Sequence, residues 1–134
     1  MIERILTIGI PTFNRIKAIT SCMEFFEKKN LPEEIEILVI DNNSSDGTFK
    51  FLSERFTAEN IRILKNKENL GFSGNTLQLI KECRTNYLLW NQIQHCIQWI
   101  HSMNFSFSYW SSLFTCSNNP IKMYSPRQTN ISIS

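Results

Sequence analysis

The sequence predicts an α/β protein whose mainly parallel sheet carries helices on both faces, and three observations carry that prediction. Short β-rich runs alternate with helix-period stretches from residue 4 to residue 90. Ile37–Ile40 is four apolar residues in a row, as in a buried strand. That run passes directly into Asp41 and a patch of polar, turn-forming residues, "DNNSSDGT", as a strand does when it delivers a side chain to a ligand.

Each element has its own signal. Arg4–Ile10 is β-rich and ends at Pro11, which cannot donate to a ladder. Asn14 can cap a helix on which Ile16, Ile19, Met23 and Phe26 recur at three- and four-residue steps, with Pro32 closing the region. Glu36–Ile40 is the second strand. Ser45 or Asp46 can cap a shorter helix bearing Phe49, Leu52 and Phe56. Ile61–Leu64 reads as a third strand. A loop with Gly71 and Gly74 then leads into a helix with Leu77, Ile80 and Cys83, and Tyr87–Trp90 begins a fourth strand. In sheets built from β-α-β units, ligands sit beyond the carboxyl ends of the strands. That rule gathers Pro11–Arg15, Asp41–Ser45 and Asn66–Asn75 on one edge.

Composition narrows the function. At 134 residues the chain makes one domain. The first 90 residues hold 12 basic and 12 acidic side chains, and the net +2 comes from Lys122 and Arg127, so no nucleic acid is expected as partner. Cys22, Cys83, Cys96 and Cys116 form no C-x-x-C pair, which fits buried thiols in a reduced, cytoplasmic setting. No transmembrane segment is expected, because no run approaches the ~18 apolar residues that span a bilayer.

Familiar nucleotide sites do not match. A dinucleotide fingerprint needs glycines in the first strand–helix turn, where this chain reads "IPTFNR", and no G-x-x-x-x-G-K-[ST] occurs. A carboxylate at a strand end can accept a hydrogen bond from a base N–H or a ribose hydroxyl. Asp41 has a second reading as an Asx-turn or helix cap for its own loop. Asn75 likewise has a second reading, as the cap of a helix starting near Thr76.

Four motifs in order, "ILTIGIPTFNR", "IEILVIDNNSSDGT", "NKENLGFSGN" and "TNYLLW", resemble the N-terminal half of family 2 glycosyltransferases over about residues 3–90. The resemblance implies a three-layer, Rossmann-like GT-A half-domain, ending after about the fourth strand. It implies an inverting transferase that uses a nucleotide-diphosphate sugar, UDP-linked by preference, in polysaccharide or cell-surface glycan synthesis. A glycan or lipid-linked acceptor and a place at the inner face of the membrane are implied in the same way. By motif, Pro11, Thr12, Asn14 and Arg15 lie beside the nucleoside, and Asp41 holds the base, typically uracil, with Asn43 in the same loop. Asn42 and Asn43 stand where the family commonly has Asp and Gly. Asn69, Gly71 and Asn75 belong to the loop against nucleotide and phosphates, without the arginine that many members carry there.

The family's catalytic parts are missing. Mg²⁺ or Mn²⁺ is expected on an Asp-x-Asp just after the fourth strand, and a further carboxylate serves as general base. Here "TNYLLW" is followed by "NQIQHCIQWIH", and no Asp or Glu occurs after Glu82. His95 and His101 stand six apart and point to different sides of a helix, while adjacency of His95 and Cys96 does not make a nucleophilic pair. Residues 91–134 also contain no glycine and nine serines. They read as a divergent, loosely packed tail, the product of a truncated or frame-shifted coding sequence. The competing reading is a nucleotide-binding fragment or module without catalysis. A sheet ending at the fourth strand would leave a pairing edge open to self-association.

Overall fold

The computed structural model describes residues 2–90, 113–115, 122–125 and 128–132. Four parallel strands make its centre: β1 (Leu6–Thr12) lies between β2 (Ile35–Asp41) and β4 (Tyr87–Trp90), and β3 (Ile61–Lys65) flanks β2. Helix α1 (Ile16–Lys29) joins β1 to β2, α2 (Thr48–Arg55) joins β2 to β3, and α3 (Gly71–Glu82) joins β3 to β4. Three antiparallel strands continue the sheet: β5 (Leu113–Thr115), β6 (Lys122–Ser125) and β7 (Gln128–Ser132). The order is β3-β2-β1-β4-β5-β6-β7.

This extension changes one expectation. The edge of β4 is not open, because Tyr87, Leu88 and Leu89 pair with Thr115, Phe114 and Leu113. Pairing satisfies the row of backbone groups that an end strand would leave for another chain. The segment carrying His95, Cys96 and His101, and the loose packing of the tail, lie outside the described residues.

The two faces of the sheet are covered unequally, giving three layers. Alternation along each strand sends Ile8, Ile10, Ile37, Val39 and Leu89 to one face, where Ile19, Cys22, Met23 and Phe26 of α1 and Leu52 of α2 pack with Phe56. Leu38, Ile40 and Leu88 face the other way, against Leu79 of α3. Each such side chain taken fully out of water contributes about 1.5–3 kcal/mol. β2 serves both faces, hence its unbroken apolar run. Gly9 lets α3 sit close: a Cβ there would meet Leu88 Cδ1 at 2.8 Å and Leu79 Cδ2 at 3.3 Å.

Several sequence expectations are corrected at element ends. β1 runs through Pro11, which pairs with Ile40, and stops at Thr12. The Thr12 carbonyl accepts from Asn42 N–H on the β2 side, so ladder alternation turns the imide nitrogen of Pro11 towards β4, beyond the last pair, Gly9–Trp90. No donor is therefore missed at Pro11, and the strand continues through it. α3 begins at Gly71, six residues before Leu77, so both glycines lie in the helix. Leu77 is 55% exposed and Leu79 takes the core position. Cys22, expected as a thiol, is disulfide-bonded, since sequence spacing does not report which sulfurs meet in space.

A closed polar cluster sits at the amino end of the strands. Glu36, only 3% exposed, accepts from Thr7 Oγ1 at 3.1 Å and pairs with Arg62 at 3.3 Å. Arg62 also donates to the Glu82 carbonyl at 3.1 Å and carboxylate at 3.3 Å. The Thr85 hydroxyl lies 2.8 Å from that of Thr7. One guanidinium thus ties β2, β3 and α3 together.

Candidate functional site

At the carboxyl end of the sheet, three strands stop in one row. Thr12 is opposite Asp41, and Asp41 is opposite Lys65, which sets a hydroxyl, a carboxylate and an ammonium on adjacent strands about 4.8 Å apart. All three fall on the α1/α2 face, two residues beyond Ile10, Val39 and Ile63 of the core. Lys65 Nζ lies 6.0 Å from the centre of the Phe49 ring.

Asp41 is fully buried. Its Oδ2 accepts from Ser44 N–H at 3.0 Å, and its Oδ1 accepts from the Ser44 hydroxyl. The turn reading of Asp41 is thus the arrangement present, with one acceptor position left on each oxygen. Ser44 Oγ also accepts from Asn14 N–H at 2.8 Å, while Asn14 Oδ1 accepts from Ser45 N–H at 2.8 Å. Asn14 holds a left-handed φ of 48° and does not cap α1, because its side chain serves the neighbouring loop. Asp46 caps in its place: Oδ2 accepts from Ile16 N–H of α1 at 3.1 Å, and Oδ1 from Thr48 N–H of α2 at 3.1 Å. Burial works to raise the Asp46 carboxyl, but the Thr48 hydroxyl and these amides outweigh it and hold it below its ordinary value.

Thr12 stands apart. It is 3% exposed, and its hydroxyl has no hydrogen-bond partner among the described residues. A buried hydroxyl left unpaired costs about 1–3 kcal/mol. It sits in the strand-end row, directly beside Asp41.

On the α3 face, asparagines do the connecting. Alternation points Asn42 opposite to Asp41, and its amide is saturated. Oδ1 accepts from Asn66 Nδ2 and Leu70 N–H, both at 2.9 Å, while Nδ2 donates to Asn69 Oδ1 at 2.8 Å and the Gly71 carbonyl at 3.1 Å. Asn75, in the second turn of α3, donates to the Ile40 carbonyl at 3.2 Å and accepts from Asn66 Nδ2 at 2.9 Å. It is part of this cluster and not a helix cap. Gly71 takes a φ of 70° where the chain turns into α3.

The geometry therefore brings Pro11, Thr12, Asn14, Asp41, Asn69, Gly71 and Asn75 to one edge of the sheet, as the fold class requires. Arg15 and Asn43 are exposed at its rim, Asn43 with a φ of 63°. Asn42, Ser44 and Asn66 were given no site role from sequence, although the Asp-x-x-Ser spacing of an Asx-type turn was a usable signal for Ser44. A divalent metal of the kind the family uses does not fit the residues present: the segment after β4 offers amides and imidazoles, and no carboxylate follows Glu82.

The chain matches the model of glycosyl transferase family 2 over residues 7–91. It is 40% identical over 67 residues to the dolichyl N-acetyl-alpha-D-glucosaminyl phosphate 3-beta-D-2,3-diacetamido-2,3-dideoxy-beta-D-glucuronosyltransferase of Methanococcus voltae, across 47% of this chain and 21% of that protein. The chain thus spans about a fifth of that relative's length. Among solved structures it resembles S. aureus TarS, with a TM-score of 0.59 and 23% identity over 66% of this chain and 16% of that one. The mannosyltransferase PcManGT from Pyrobaculum calidifontis gives a TM-score of 0.59 and 16% identity, over 69% of this chain and 28% of its own. These two likenesses establish the GT-A fold. With the family matched over most of its length, the chain belongs to glycosyl transferase family 2.

Proposed function

We propose that the carboxyl edge of β1 and β2 binds the nucleotide of a nucleotide-diphosphate sugar, with a UDP-sugar favoured. The observation that carries this reading is the unpartnered, buried Thr12 hydroxyl beside Asp41. It is a polar group without a partner among the described residues, next to a carboxylate with free acceptor positions. A base or ribose can satisfy both: its N–H donates to Asp41, and its carbonyl or hydroxyl meets Thr12. Because Asp41 is buried under Ser44, the base reaches it when the 44–46 turn shifts aside. Pro11, Asn14, Arg15 and Asn43 surround that base, while Asn69, Gly71 and Asn75 shape the loop on the phosphate side. TarS residues 1–349 have been solved with UDP and with UDP-GlcNAc, and PcManGT with GDP-Man and Mn2+, which supports a nucleotide-sugar partner.

The wider activity would be glycosyl transfer to a glycan or lipid-linked acceptor in cell-surface glycan synthesis. This polypeptide has no carboxylate after Glu82 to hold a metal or take the acceptor's proton. Its own residues bind and orient the donor. A binding module without turnover is therefore the second reading. The described residues include no helix long and apolar enough to cross a membrane.

Calorimetry with UDP and a UDP-sugar, in Mn²⁺ and in a chelator, tests the proposal. The expected result is binding of equal strength in both and no release of free sugar. Binding that tightens with Mn²⁺ and is accompanied by sugar release would restore catalysis, and absence of any UDP binding would reject the site.

A further inference from the structure

The Asn42 side chain is 3% exposed and uses every hydrogen-bonding position it has. Its orientation is not ambiguous. Leu70 N–H can only donate and the Gly71 carbonyl can only accept, so Oδ1 must face the first and Nδ2 the second. Asn69 Oδ1 is likewise fixed as an acceptor, because it also takes Gly71 N–H at 2.9 Å. Asn42 therefore clamps four residues of the loop that carries the chain from β3 into α3: Asn66, Asn69, Leu70 and Gly71.

We propose that Asn42 is a positioning residue for the donor site, locking the 66–71 loop and the start of α3 of this chain through all four hydrogen bonds of its side-chain amide. An aspartate there would keep the acceptor for Leu70 N–H but would turn a second oxygen onto the Gly71 carbonyl and Asn69 Oδ1. Two acceptors would then face one carboxylate, with no proton between them. The groups touching Asn42 are all neutral. Of the charged residues nearby, Asp41 lies on the opposite sheet face, and Lys65, Lys67 and Glu68 are exposed. The loop-locking half of this proposal rests on geometry alone, while its link to the donor rests on the function proposed above.

The test compares the wild-type chain with Asn42→Asp and Asn42→Ala by amide hydrogen exchange, thermal melting and UDP titration. In Asn42→Ala, Leu70 N–H loses its acceptor, and its exchange is expected to quicken about tenfold. In Asn42→Asp, the buried carboxyl titrates above its ordinary range. The folded state then binds more protons than the unfolded one, so the stability deficit against wild type shrinks as the pH falls from about 7 to about 5. Asn42→Ala has no such group and keeps its deficit constant. UDP affinity is expected to fall about tenfold in Asn42→Asp at neutral pH, for the loss of one or two hydrogen bonds. Unchanged Leu70 exchange in Asn42→Ala, or a pH-independent deficit in Asn42→Asp, overturns the clamp. Should the wild type bind no UDP, the nucleotide reading fails, and the exchange and melting comparisons still decide the role of Asn42.

Discussion

Both ends of the parallel sheet bury polar side chains, and they do so differently. At the amino end, Thr7, Glu36, Arg62, Glu82 and Thr85 form a network in which each buried group meets another. At the carboxyl end, the Asn42 cluster is equally complete, yet Thr12 one strand away has a buried hydroxyl with no partner among the described residues. A satisfied network holds strands together, whereas the Thr12 hydroxyl beside Asp41 is, on the function proposed above, completed by the nucleotide. On that proposal the difference separates scaffold from site within one fold.

Four substitutions sharpen that contrast. The largest effect is expected from Arg62→Met, which strands the buried Glu36 carboxylate and should cost about 3 kcal/mol of stability in denaturant melts. UDP affinity should stay unchanged, because the amino end is scaffold. Equal losses in affinity and stability would show that the two ends are not separable. Gly9→Ala comes next: the added methyl meets Leu88 and Leu79, and the overpacking should cost about 1–3 kcal/mol. By moving α3, it should also disturb the 66–71 loop, visible as faster exchange at Leu70.

Asp46→Asn is expected to have a smaller effect on stability than either. The Asp46 carboxyl is held below its ordinary value, so its contribution is present above an unfolded pKa of about 4 and fades as the pH drops through the folded value. The destabilisation by Asp46→Asn should thus shrink below about pH 4. A deficit that stays constant down to about pH 2 would show that charge plays no part in this cap.

What the sequence made legible follows from pattern. The run Ile37–Ile40 marked the central strand, and Leu52 and Phe56 marked the buried side of α2. The start of α3 was not legible. Its inward stripe opens with Asn75, a polar residue that hydrophobic periodicity cannot count, so exposed Leu77 was read in place of Leu79. Asp41 and Asn42 are neighbours in the chain, but period-2 alternation sends them to opposite faces of the sheet. Only the register shows that one joins the Ser44 turn and the other the α3 loop. Nor does sequence disclose the Arg62–Glu36 pair, whose members come from different strands 26 positions apart. The strand-end residues were identifiable from their motifs, while their hydrogen-bond partners required coordinates.

Thr12→Val tests the central claim most directly, since it removes the orphaned hydroxyl and little else. Stability and UDP affinity, measured on the same preparation, should separate: the melt unchanged or raised by about 1 kcal/mol, and affinity lowered about tenfold. A variant that binds UDP as tightly as the wild type would contradict the assignment of this edge to the nucleotide.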